Sequence, residues 1–222
     1  TSLAGERRAE LARAFGDVAP DETVRAMYLT GRGSAFCSGG DLRNMKTITG
    51  PWSVHRRFRH LGEWLLPLVR MEKPVVVGVN GVAVGGGMGL AFGGDLIVAA
   101  ESARFMAGFF RVGVCPDVAT MYTLPRLIGM ARAKQLLFGN ATWSAHDALA
   151  AGLVVEVAAD SELDAVCMAK ARALAEGPAA VMGLAKLIMA GSFETGLDEM
   201  FLYEGLGHAL AMSSGEFREA LD

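Results

Sequence analysis

Lys73-Pro74-Val75-Val76-Val77-Gly78-Val79-Asn80-Gly81-Val82-Ala83-Val84-Gly85-Gly86-Gly87-Met88-Gly89-Leu90 decides the architecture in one run. Four valines between positions 75 and 79 predict a strand buried on both faces, because β-branched residues without polar alternation suit a covered sheet. Asn80-Gly81 breaks that strand, and a glycine-rich helix is expected over 85–94. Leu96 to Ala99 repeats the buried-strand pattern. A strand–helix–strand order of this kind points to an α/β fold. No charged residue occurs in the 20 positions from Val75 to Gly94, a length that could span a bilayer. Eight glycines in that run, Asn80 within it and Asp95 directly after it argue instead for strand, turn and buried helix. No membrane partner is expected.

Working outward, Leu3 to Phe15 reads as an amphipathic helix and Asp17-Val18-Ala19-Pro20-Asp21 as a turn. A strand is expected over Val24–Leu29 and a loop over Gly31–Ser34. That loop leads into Phe36-Cys37-Ser38-Gly39-Gly40-Asp41, and a helix follows over Val54–Val69. After Cys115-Pro116-Asp117 a helix runs to Ile128. Helices are then expected over 131–138, 144–150, 162–175, 178–189 and 194–212, interrupted by one strand over Leu153–Val157. The division read from this order is an α/β core over 1–160 and a C-terminal helical region over 161–222 of the same domain. With 52% apolar and 20% charged residues the chain has ample core material and no mark of disorder. The net charge is −3 and Arg56-Arg57-Phe58-Arg59 is the one basic cluster. Read as a solvated helix face, that cluster gives a nucleic-acid partner little support. Three cysteines without metal-ligand spacing read as free thiols, with no metal site and a cytoplasmic setting.

The chemistry sits in two glycine clusters, Ala35 to Asp41 and Asn80 to Gly89. Glycine lets backbone approach a ligand closely, and a helix N-terminus offers N–H groups that lack intrahelical acceptors. Two such donors aimed at one point stabilise charge on a carbonyl oxygen. A dinucleotide fingerprint fails, because Gly85-Gly86-Gly87-Met88-Gly89-Leu90 ends on Leu, and no Gly-Lys-Ser/Thr follows for a phosphate loop. Close helix–strand packing is the plainer role for these glycines.

Leu29-Thr30-Gly31, Ala35 to Leu42, Lys73-Pro74, Asn80-Gly81, Gly85-Gly86-Gly87, Asp95-Leu96, Leu124 to Gly129 and Ala148 to Val154 together resemble the crotonase (enoyl-CoA hydratase/isomerase) superfamily. The resemblance runs from about Leu3 to the chain end. It implies a crotonase-like spiral of ββα units with a C-terminal helical extension, assembled as a homotrimer or hexamer and acting on an acyl-CoA thioester. CoA would be part of the substrate, with no separate cofactor. Carried over by position, the N–H groups of Gly40 and Gly86 grip the thioester oxygen. Ala35 and the stretch Gly40-Asp41-Leu42-Arg43 line the CoA site, Phe109 walls the acyl pocket, and Asp41 and Asp95 tie their own turns.

The hydratases of this family use two glutamates for adding water, and here those positions hold Gly89 and Phe109. Asp117, in Gly113-Val114-Cys115-Pro116-Asp117, is the remaining carboxylate. This local run most resembles the 1,2-epoxyphenylacetyl-CoA isomerase branch, whereas the dienoyl-CoA isomerases and 4-chlorobenzoyl-CoA dehalogenases carry side chains that are missing here. One carboxylate suits an enoyl-CoA isomerase, which takes a proton from one carbon and returns it to another. A hydratase with an atypical acid/base set and a silent CoA-binding scaffold are the alternatives. Asp117 could also serve as a helix N-cap. Trp143, Met106, Met121, Phe110 and Tyr122 read as core or pocket lining, with Tyr122 a candidate pocket hydroxyl. Phe201-Leu202-Tyr203-Glu204 reads as a pocket cover or subunit contact.

Overall fold

Val75–Val79 forms a strand with every residue buried in the computed structural model, which describes residues 2–46, 49–219 and 221. The first part of the chain folds as α1 (Gly5–Val18), β1 (Met27–Thr30), α2 (Leu42–Met45), α3 (Pro51–Val69) and then β2 (Val75–Val79). Next come β3 (Val82–Val84), α4 (Gly86–Ala91), β4 (Leu96–Ala100), β5 (Arg104–Met106) and a 3-10 turn at Phe110–Val112. The rest runs α5 (Thr120–Ile128), α6 (Met130–Phe138), β6 (Thr142–Ser144), α7 (Ala145–Ala150) and β7 (Glu156–Ala158). Four helices close it: α8 (Leu163–Glu176), α9 (Ala179–Ala190), α10 (Leu197–Ser213) and α11 (Gly215–Glu219).

Two sheets result, a parallel one in the order β1-β2-β4-β7 and a smaller one in the order β3-β5-β6. Successive turns of chain place one strand in each sheet, β2 then β3 and β4 then β5, with the next helical segment closing the turn. The first turn joins through a single parallel bridge, Cys37 to Ala83. This is the expected spiral of ββα units. The parallel sheet is covered by α8, whose Leu163, Cys167 and Ala171 are buried, and α1 packs along α3.

Polar side chains lock the turns. Asn80 accepts from Gly31 N–H (3.1 Å) and donates to Gly33 O (2.7 Å), holding the first glycine loop to the end of β2. Asp95 Oδ2 accepts from Val75 N–H and from Lys186 Nζ, each at 2.8 Å, as its structural role required. Buried Lys73 donates to Val18 O (2.7 Å) and to Asp21 O, fixing the end of α1 to the start of β2.

Several sequence expectations shift. The run from Val75 to Gly94, expected as strand, turn and buried helix, holds a further short strand, β3, between β2 and α4, and among the described residues no single helix is long and apolar enough to cross a membrane. The strand expected over Leu153–Val157 lies at Glu156–Ala158, because Leu153 and Val154 N–H both bond back to Ala148 O and end α7 instead. The helix expected from Leu3 begins at Gly5, and Leu3 is a buried residue ahead of it whose N–H bonds to Gly39 O (2.7 Å).

Candidate active site

The two glycine clusters meet backbone to backbone. Cys37 N–H bonds to Val82 O (3.1 Å) and Val84 N–H to Cys37 O (2.9 Å). Gly39 has φ +76°, and a methyl group placed on it would lie 2.5 Å from Val84 O and 3.2 Å from Gly86 N. One placed on Gly87 would lie 2.2 Å from Cys37 O, so no side chain fits between the loops. Gly40 ends one loop; Gly86 starts α4, where the N–H has no intrahelical acceptor.

A cleft opens at this junction, lined by Leu3, Arg8, Gly40, Arg57, Leu61, Gly86, Asp117 and Val118. It brings Gly40, Gly86 and Asp117 together. A methyl group on Gly86 would sit 3.3 Å from Asp117 Oδ1. Among the described residues Asp117 is the only carboxylate in the lining. The turn that delivers it is strained: Val118 and Ala119 are both left-handed, at φ +52° and +54°, and a β-branched residue there is uncommon. Burial pushes the Asp117 carboxyl above its ordinary value, while Arg57 and then Arg8 pull against that rise.

The capping role considered for Asp117 is not what its side chain does. The N-cap of α5 is Ala119, with no side-chain cap; only the Asp117 carbonyl takes part, accepting from Thr120 N–H (3.0 Å). The five other sequence candidates lie outside the cleft lining. Asp41 caps α2, its carboxylate accepting from Arg43 N–H (2.9 Å), with Leu42 and Arg43 exposed beside it. Ala35 packs against Gly81, and the buried Phe109 ring packs at Gly85. Tyr122 is no pocket hydroxyl: it is exposed, donates to Glu194, and Arg126 stacks on its ring (3.5 Å to the centroid). Phe110 and Met121 are likewise exposed.

Arg8 and Arg57 escaped the sequence reading. Arg57 was grouped with its exposed neighbours Arg56 and Arg59, yet it turns inward. Its place four residues before Leu61 and seven before Trp64, both buried on α3, was the available signal.

The two positions where hydratases of the resemblance carry glutamates are filled. At Gly89 a Cβ would lie 2.4 Å from Val118 O and 2.8 Å from Thr120 Oγ1, which leaves no space for a side chain. Phe109 is 5% exposed and buries an apolar ring at the other position.

A ββα spiral whose glycine loops meet at a carboxyl-bearing cleft defines the crotonase-fold class. The chain belongs to the enoyl-CoA hydratase/isomerase family, whose model matches residues 1–221. It is 38% identical to 1,2-epoxyphenylacetyl-CoA isomerase of Escherichia coli strain K12, over 99% of this chain and 85% of that one. It is 33% identical to a probable enoyl-CoA hydratase of Rhodobacter capsulatus, over 97% and 81%. Among solved structures, the enoyl-CoA hydratase/isomerase of Cupriavidus metallidurans CH34 superposes with a TM-score of 0.94 at 29% identity, over 99% of this chain and 83% of that one. The names of these relatives span more than one reaction.

Proposed function

We propose that this chain is an enoyl-CoA isomerase in which the Gly40 and Gly86 N–H groups hold the thioester oxygen and Asp117 moves the proton. The observation that carries this reading is the cleft itself, where the lone carboxylate stands beside Gly86 while the Gly89 position is closed to a second one. The carboxylate takes a proton from the carbon next to the thioester of a 3-enoyl-CoA. The electron pair moves into a dienolate whose oxygen charge the two N–H groups stabilise. The same carboxyl then returns the proton at the far end of the dienolate, giving the 2-enoyl-CoA with Asp117 ionised again. A partly buried carboxylate with a raised pKa is a stronger base than an exposed one, which favours removal of the weakly acidic carbon-bound proton.

CoA enters as part of the substrate, and the reading invokes no metal or separate cofactor. Ala35, Asp41, Leu42, Arg43 and Phe109 are assigned to the CoA path and acyl wall, beyond the cleft lining. Residues 1–160 form the catalytic core and 161–222 the helical region of assembly. A homotrimer or hexamer is supported by α10, whose Leu197, Phe201 and Leu210 stand exposed at 83%, 74% and 61%. A cytoplasmic setting suits its free thiols.

The test is turnover of 3-enoyl-CoA across pH, with product analysis. The base must be ionised, so kcat/KM should fall as pH falls through the Asp117 pKa. Because burial raises that pKa, the midpoint should lie above the ordinary carboxylate value of about 4. A 3-hydroxyacyl-CoA product, or an acid limb at or below that value, contradicts the reading.

A further inference from the structure

The Gly40 N–H and the Gly39 carbonyl belong to one peptide unit. Among the described residues no peptide bond is cis, so this carbonyl and this N–H point in opposite directions, and whatever fixes one fixes the other. Glycine stands on both sides of the unit, with Gly39 already at φ +76°. A peptide plane between two glycines rotates with little steric resistance, because neither carries a Cβ. A donor on such a unit needs a hold from outside its own loop to keep one orientation.

Leu3 supplies that hold. Its N–H donates to Gly39 O at 2.7 Å, and its own carbonyl accepts from Arg8 Nε at 2.8 Å. Its side chain is buried and lines the cleft, with Cδ1 3.6 Å from a methyl group placed on Gly86. One residue therefore meets both halves of the glycine junction, with its backbone pinned on both sides. The helix does not require this arrangement. α1 starts at Gly5, and Arg8 N–H bonds to Ala4 O (3.1 Å), so Leu3 lies outside the helical ladder. Its post is set by α1, which packs along α3 and buries Phe15.

We propose that Leu3 and Arg8 are positioning residues for the proton-transfer step: the Leu3 N–H clamps the Gly39–Gly40 peptide so that the Gly40 N–H is aimed at the thioester oxygen, and Arg8 holds Leu3 in place. This rests on the reading that Gly40 and Gly86 grip that oxygen. A hydrogen bond at Gly39 O also polarises the peptide, which strengthens the Gly40 N–H as a donor. A preset donor acts fully as charge develops on the oxygen, whereas one that must first rotate loses part of its stabilisation to that rotation.

The experiment removes that one N–H and leaves every side chain in place. The full chain is translated with the α-hydroxy acid of leucine at position 3, so that an ester oxygen replaces the Leu3 nitrogen. Infrared difference spectra of bound hexanoyl-CoA, labelled with a heavy carbon isotope at the thioester carbon, report donors on its oxygen as a lowered C=O stretching frequency. Turnover of 3-enoyl-CoA gives kcat and KM separately. In the wild type the band lies below its frequency in free solution. In the ester chain it moves back toward that frequency, and kcat falls roughly tenfold or more while KM changes by less than about threefold. Arg8→Met moves the band the same way and carries the test should the ester chain fold poorly. Because Arg8 also lines the cleft with Asp117, its spectra are compared within the Asp117→Asn background, where no carboxylate is present for it to act upon. Arg7→Met is the control: it is exposed on α1, pairs with Glu10, and should move neither readout. A wild-type band at the solution frequency overturns this inference together with the reading it rests on. A lowered wild-type band that both variants keep, or a loss of kcat without movement of the band, overturns this inference alone.

Discussion

Replacing Asp117 by Asn lowers the rate of 3-enoyl-CoA isomerisation by about 10²- to 10⁴-fold, the range that a positioned acid–base group contributes. The amide keeps the size and the hydrogen-bonding edge of the carboxyl but cannot take up a proton. The same substitution leaves the fold at least as stable at neutral pH. Burial raises the Asp117 pKa above its unfolded value, so the contribution to stability is present below about pH 4 and is lost as pH rises through the shifted pKa. At pH 7 the ionised carboxylate is therefore a burden on the folded state, and Asn removes it. Thermal melts of both proteins at pH 7 should show an equal or higher Tm for the variant. Full activity in Asp117→Asn defeats the mechanism. A lost activity accompanied by a fall in Tm would assign Asp117 a structural role instead.

Gly89→Glu, which installs the first of the two hydratase carboxylates, destabilises the chain and confers no hydration. Its Cβ would stand 2.4 Å from Val118 O and 2.7 Å from Val118 Cβ. The obstacle is backbone in an already strained left-handed turn, so it cannot retreat as a flexible side chain would. A carboxylate forced in there is also taken out of water, since Gly89 is buried. Together these cost about 3–5 kcal/mol in urea denaturation. Gly16→Glu is the control: the position is exposed on α1 with nothing within 4 Å, and the change there should be within about 1 kcal/mol of neutral. A stable Gly89→Glu protein that hydrates 2-enoyl-CoA would show that the closed position is not what separates this chain from the hydratases.

The strands legible in the sequence were those whose own residues decide the matter. β2 and β4 are continuous apolar runs buried by the layers on either side, and their valines announce it. β3, β5 and β6 have three residues each, too few to show a period, and exist through pairing across the chain, such as Val82 with Arg104 and Phe105 with Trp143. The glycine junction was legible because Gly39 and Gly87 sit where only glycine fits. Which charged groups share the cleft was not, since Arg8 lies 109 positions from Asp117 and local pattern says nothing about that distance. The α3 arginine cluster misled for a related reason: three of its four residues do face solvent, and only helical phase against Leu61 and Trp64 separates Arg57 from them. The Asp117 cap was a fair local reading that the left-handed turn at Val118 and Ala119 overrides.

The central claim is that Gly40 and Gly86 hold one oxygen while Asp117 addresses the carbon beside it. A crystal structure of the chain with a saturated acyl-CoA bound tests this most directly. The account predicts the thioester oxygen about 2.7–3.1 Å from both N–H nitrogens, with an Asp117 carboxylate oxygen about 3–3.5 Å from the adjacent carbon. A thioester bound away from the two glycines, or an Asp117 carboxyl turned from the acyl chain, would contradict it.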